Sequence, residues 1–131
     1  NSGGGVLTVY VAALDERIAV AHPSCSLTCF ASESGYIFHC DCCMVPAIKT
    51  ELADMADIAA LTIPRQLVVV HGVKDELHSA PTVNRAMARL EHIYSQCNIR
   101  EKFRFRWQPE GHRFYPTVFW PVMNSVLQPD E

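Results

Sequence analysis

Three side chains in this sequence have the types that nucleophilic acyl transfer requires. Ser2 lies in Asn1-Ser2-Gly3-Gly4-Gly5, directly ahead of a helical pattern. A hydroxyl pushed outward on a sharp strand-to-helix turn needs neighbours without side chains, and Gly3 and Gly4 meet that need. The N–H of Gly3, at a helix N-terminus, would face an oxyanion forming at the serine. The same pentapeptide also fits a glycine-rich tail or a phosphate loop. Asp75 follows an apolar run in His71-Gly72-Val73-Lys74-Asp75, where a lone aspartate also serves as a turn or cap residue. His112 stands on a glycine-relieved loop, Pro109-Glu110-Gly111-His112-Arg113-Phe114-Tyr115, from which an imidazole can shuttle a proton near neutral pH. Of the other histidines, His92 falls mid-helix and reads as a surface residue. His71 reads as packing at a strand end, and His22, His39 and His78 carry weaker cases.

The elements that must position these groups follow from periodicity. Val6, Leu7, Tyr10, Val11 and Leu14 recur on one helix face. Ile18–Ala21 reads as a short buried strand stopped by Pro23, and Glu51–Leu61 as a helix ended by Pro64. Leu67-Val68-Val69-Val70 is a continuous β-branched run that suits a parallel strand covered on both faces. Ser79 and Pro81 open the next helix, whose inner face is Val83, Ala86, Leu90, Ile93 and Cys97. Phe103, Phe105 and Trp107 alternate with Arg104 and Arg106 as in a half-exposed strand, and Pro116–Leu127 reads as a last helix. Helices alternating with strands in this order predict an α/β fold with a parallel sheet. Asp75 and His112 then both leave the carboxyl ends of strands, where functional groups of parallel sheets collect.

At 131 residues the chain can bury the core of one domain, taken to cover 1–131. A net charge of -3 gives no basic face for nucleic acid, and no run of about 18 apolar residues offers a membrane span. Residues 24–50 break the periodicity and hold five of the six cysteines, so they read as a cysteine-rich excursion. Cys25, Cys29, Cys40, Cys42, Cys43 and Cys97 match no small disulfide scaffold and are read as thiols of a reducing compartment, which would place the chain in the cytoplasm. Cys25-x-x-x-Cys29 with Cys40-x-Cys42, beside His39, is a loose version of a zinc pattern. Asp41 is an alternative acid.

Asn1-Ser2-Gly3-Gly4-Gly5, Met55-Ala56-Asp57-Ile58-Ala59-Ala60-Leu61, Val70-His71-Gly72-Val73-Lys74-Asp75 and Gly111-His112-Arg113-Phe114-Tyr115-Pro116 resemble the α/β-hydrolase family of acetylxylan-esterase-like and dienelactone-hydrolase-like proteins. The resemblance runs from Ser2 to about Val122, and the His112 motif with Phe119-Trp120-Pro121 is its most specific part. It implies the C-terminal part of an α/β-hydrolase fold beginning at the nucleophile elbow, with the N-terminal strands lying upstream. It also implies a serine esterase without a cofactor or metal, in which Ser2, Asp75 and His112 fall on the nucleophile, acid and base positions and Gly3 on the oxyanion hole. The order Ser, Asp, His is the order of that family. The acid loop departs from the family's frequent Asp-Pro, reading Asp75-Glu76-Leu77-His78. The expected substrate is a small-molecule or carbohydrate ester, acetyl esters first. By itself the chain, with half an oxyanion hole, is expected to be a poor catalyst. Its Ile18–Ala21 edge would invite a homo-oligomer. The alternatives are a peptidase of the same fold and a non-catalytic oligomerisation or zinc-binding module.

Overall fold

The structure is a computed structural model that describes residues 1–30 and 54–128. The elements in chain order are α1 (Gly3–Leu14), β1 (Val20–Ala21), α2 (Met55–Ala60), β2 (Gln66–Gly72), α3 (Ala80–Gln96), β3 (Phe103–Gln108) and α4 (Pro116–Leu127). The three strands form a parallel sheet in the order β1-β2-β3, with Ala21 opposite Leu67 and Leu67 opposite Phe103. Every residue of β2 is buried, as its β-branched run predicts for a strand with neighbours on both edges and helices on both faces.

Leu67 and Val69 pack with Val6 and Val9 of α1, Met55 of α2, and Val83 and Leu90 of α3. On the other side Val70 packs with Cys25, Tyr115 and Val118 of α4. The cap of α3 is as expected: Ser79 Oγ accepts the Thr82 N–H at 3.4 Å, with a proline in the first turn. In β3, Phe103 is buried while Arg104 and Arg106 are exposed.

Four details differ from the sequence reading. Pro23 does not stop the pairing of β1. Its carbonyl accepts the Val70 N–H at 3.3 Å, and Cys25 N–H goes on to Val70 O at 2.8 Å. The ladder's alternation would send a residue-23 N–H to Val68 O; proline has none, and His22 Nδ1 takes that carbonyl at 2.7 Å. On α1 the buried residues are Gly5, Val6, Val9 and Ala12, whereas Leu7, Val11 and Leu14 are exposed. This helix is apolar almost all round, so spacing alone selects no face. Gly5 does, because a Cβ there would lie 2.2 Å from Ser26 Oγ. On α3, Tyr94 rather than Cys97 completes the inner face. Finally, Ser24–Phe30 are buried, with Leu27, Cys29 and Phe30 in the main core. The rest of the proposed excursion lies outside the described residues, together with Asp41, His39, Cys40, Cys42 and Cys43. The described cysteines Cys25, Cys29 and Cys97 are free thiols. Among the described residues no helix is long and apolar enough to cross a membrane.

Candidate functional site

The loops leaving the carboxyl ends of all three strands meet. Beyond β2 and β3 the chains stay joined: Val73 N–H bonds Gln108 O at 2.8 Å, and Lys74 N–H bonds Glu110 O at 3.0 Å. Gly72 permits this approach, since a Cβ there would lie 2.3 Å from the carbonyl oxygens of both Glu110 and Gly111. Tyr115 latches the second loop by donating its hydroxyl to Gly111 O at 2.6 Å.

This scaffold brings Asp75 and His112 together. Asp75 Oδ2 lies 2.9 Å from His112 Nδ1, with the carboxylate side chain fully buried. Oδ1 accepts the Leu77 N–H at 2.9 Å, and His78 Nδ1 stands 3.5 Å from Oδ2. Burial alone would raise the Asp75 carboxyl. The contacts with His78, the Leu77 amide and His112 overcome it and hold the group well below the usual carboxylate range. Glu76, its neighbour, is exposed. A carboxylate only accepts, so His112 Nδ1 must carry the proton, which leaves Nε2 as the basic lone pair. That Nε2 is buried and has no hydrogen-bond partner among the described residues.

Ser2 caps α1 with φ 55 and ψ -131, a left-handed backbone that a serine adopts at a cost of about 1–3 kcal/mol. Such strain is what a sharp elbow imposes on the residue at its apex. Ser2 O accepts the N–H groups of Gly5 and Val6, at 2.8 and 3.0 Å, so Gly3 and Gly4 form the first turn, whose N–H groups have no carbonyl within the helix. Ser24 ties this elbow to the histidine loop. Its carbonyl accepts Ser2 N–H at 3.1 Å, and its hydroxyl donates to Arg113 O at 2.9 Å. With its amide turned to donate, Asn1 reaches the same two carbonyls at 3.2 and 2.9 Å. The structure thus links Asp75 to His112 side chain to side chain, and Ser2 to the residue after His112 by way of the carbonyl and hydroxyl of Ser24. No hydrogen bond joins Ser2 Oγ to His112.

Sequence reasoning missed Ser24 and Tyr115, and it set His78 among the weaker histidines and Cys25 in a loose zinc pattern only. Ser24 and Cys25 carry the same signal as Asp75 and His112, since they leave the carboxyl end of a strand. Cys25 is buried at φ 46, and burial pushes its thiol up. His78 stands three residues after Asp75, a spacing that a short turn folds back onto the carboxylate. His71 is buried at the end of β2 as expected, and burial pushes its imidazole down to about 4. His92 is an exposed residue of α3. His22 is stacked on Phe119 at 5.0 Å, with its Nδ1 held by Val68 O.

No family model and no curated protein matches the sequence. The fold does match solved structures. Methylesterase BT1017 is similar over 100% of this chain and 29% of its own, at 26% identity and a TM-score of 0.76. A carbohydrate esterase family 15 glucuronoyl esterase from Caldicellulosiruptor kristjansonii is similar over 99% of this chain and 42% of its own, at 15% identity and a TM-score of 0.75. The glucuronoyl esterase catalytic domain from Hypocrea jecorina matches over 99% and 43%, at 13% identity and 0.76. These neighbours are esterases by name, and the chain has the α/β-hydrolase fold, matching them over 29% to 43% of their lengths.

Proposed function

We propose that this chain, a part of an α/β-hydrolase fold, belongs to a serine hydrolase that cleaves carboxylic esters through Ser2, His112 and Asp75. The observation that carries the reading is the hydrogen bond of His112 to the buried Asp75 carboxylate, together with a serine held at a strained helix start. In this mechanism His112 Nε2 takes the proton of Ser2 as Oγ attacks the ester carbon. Asp75 fixes the tautomer that makes this base available and stabilises the imidazolium that results. The Gly3 N–H and the α1 N-terminus stabilise the tetrahedral oxyanion. Collapse expels the alcohol, which takes the proton from His112, and leaves an acyl-enzyme. Water activated by the same imidazole then releases the acid.

The small acyl group of an acetyl ester is the first substrate expected from the sequence. A second reading, an ester of a sugar acid, has its own support. One solved neighbour, a glucuronoyl esterase from Sporotrichum thermophile, is described in complex with methyl 4-O-methyl-beta-D-glucopyranuronate. The test is hydrolysis of p-nitrophenyl acetate and of a methyl uronate ester by this chain, by a chain lengthened at its N-terminus to the span of its neighbours, and by Ser2→Ala. Hydrolysis of either ester, lost in Ser2→Ala, supports the reading, and the ratio of the two rates assigns the acyl class. A folded, lengthened protein that neither hydrolyses an ester nor takes a fluorophosphonate label on Ser2 refutes it.

A further inference from the structure

The loop after β2 carries more imidazole than a triad uses. Asp75 Oδ2 has His112 Nδ1 at 2.9 Å and also His78 Nδ1 at 3.5 Å. The ring of His71 stands edge-on to that of His78, with centroids 5.6 Å apart. His71 is fully buried, and its Nε2 lies 2.8 Å from Leu27 O. A carbonyl only accepts, so Nε2 holds the proton and Nδ1 presents a bare lone pair. That Nδ1 is buried with no hydrogen-bond partner among the described residues. A packing residue at a strand end needs no nitrogen there, and an unpaired polar atom so placed is costly. A neutral imidazole whose far nitrogen is fixed by a backbone carbonyl is, in contrast, the usual form of a metal-ligating histidine. His71, Asp75 and His78 each offer a ligand atom within 4.8 Å of the other two.

We propose that His71, Asp75 and His78 form a binding site for one zinc ion, and that loading it draws the Asp75 carboxylate away from His112 and lowers ester hydrolysis. Two imidazoles and one carboxylate are a donor set for zinc, with water completing the shell. Bonds of about 2.0–2.2 Å bring such ligand atoms to roughly 3.5 Å from one another. The loop must therefore close by an ångström or so, and His78, at the rim, is the side chain that moves. Cys25, Asp75 and His112 are a second grouping of the same kind, but the two share Asp75. The first grouping is the one that holds the buried, unpartnered Nδ1 of His71. The binding stands on this cluster alone; its effect on hydrolysis rests on the reading of the previous subsection.

The test titrates the protein with Zn²⁺ by calorimetry and with Co²⁺ by absorption, in wild type, Ser2→Ala, His112→Ala, His78→Gln and His78→Asn, each checked for folding by circular dichroism. One equivalent of zinc is expected in wild type and Ser2→Ala, with affinities within about threefold, and in His112→Ala, where no bond to Asp75 has to be given up, with an affinity equal to wild type or higher. Both His78 variants should bind more than about tenfold more weakly. The Co²⁺ form should show visible d–d bands without the near-ultraviolet band of a thiolate ligand. Zinc should inhibit hydrolysis, at a concentration more than tenfold higher in His78→Gln. Equal zinc affinity in wild type and the His78 variants, a thiolate band, or no binding at micromolar zinc overturns the site. Zinc bound through His78 with hydrolysis unchanged overturns the regulatory half. Zinc bound as expected by the lengthened protein, with no ester hydrolysis in any form of it, supports the site and overturns the hydrolase reading instead.

Discussion

Asp75→Asn separates the role of the carboxylate charge from that of its shape. Asparagine matches the volume of the buried side chain and keeps an oxygen for the Leu77 N–H, which Oδ1 accepts at 2.9 Å. What changes is the atom 2.9 Å from His112 Nδ1. An amide NH₂ in place of Oδ2 donates, so Nδ1 must become an acceptor and the ring proton moves to Nε2. The base that faces the nucleophile is then blocked. In a well-studied serine protease this tautomer change lowers kcat by about 10⁴, equivalent to roughly 5 kcal/mol of barrier. A loss of that order is expected in the ester assay, with the melting temperature shifted by only a few degrees. The tautomer itself can be read on this chain without turnover, from long-range ¹H–¹⁵N correlations of the His112 ring. Wild type should show a protonated Nδ1 and Asp75→Asn a protonated Nε2. Nδ1 protonated in both proteins, or a fall in kcat of less than about tenfold while Glu76→Gln falls further, refutes Asp75 as the acid.

Gly72→Ala should lower stability by about 1–3 kcal/mol, because its Cβ would meet two carbonyl oxygens at 2.3 Å; a urea midpoint that falls with an unchanged slope checks this. Stability should also fall in acid. The Asp75 carboxyl is depressed in the folded state, so its contribution is complete above about pH 4, the unfolded value, and is lost as pH drops through the folded one. Melting curves from pH 6 down to pH 2 should decline less steeply in Asp75→Asn than in wild type. β1 is an edge strand among the described residues, and the ladder's alternation turns the N–H and C=O of Val20 away from β2. If that edge pairs with a second copy, sedimentation should show a concentration-dependent mass that Val20→Lys reduces; a monomer at all concentrations rules the pairing out.

The parts of the fold that were legible in the sequence are those where one physical signal dominates. β2 is a run of buried β-branched residues, α3 has an amphipathic stripe behind a serine cap, and β3 alternates with period two, and all three fall where those patterns put them. α1 was legible as a helix but not as a buried face, because a helix apolar on every side carries no directional information. Its orientation comes from Gly5 meeting Ser26, a contact between residues whose proximity only the assembled sheet creates. The strand β1 ends at Ala21 as expected, but reading Pro23 as a stop missed the pairing that continues past it to Ser24 and Cys25. Proline forbids a donor at one position, and the side chain of His22 supplies it, a substitution that no local rule anticipates.

The same reasoning explains why Asp75 and His112 could be named while His78, Ser24 and His71 could not be given roles. A carboxylate or imidazole just past a strand is marked by its place in a parallel sheet, and that place is written in the sequence. Ser24 matters because its carbonyl and hydroxyl point at two different loops, which depends on the twist and register of β1 against β2. His71 is a strand residue by every local measure; only the commitment of its Nε2 to Leu27 O leaves the buried lone pair on which the proposed zinc site rests. The site is therefore specified twice, by which residues end the strands and by which backbone carbonyls those residues hold. A substitution that spares Ser2, Asp75 and His112 but removes a carbonyl partner, such as Ser24→Ala, should widen the separation of the elbow from the histidine loop and slow acylation while leaving the Asp75–His112 tautomer unchanged. Burst kinetics with an activated ester would show the slowed first step, and the His112 ring nitrogens would show the tautomer. A shift in the tautomer instead would mean that Ser24 acts on the acid loop and that the two loops are not independently held.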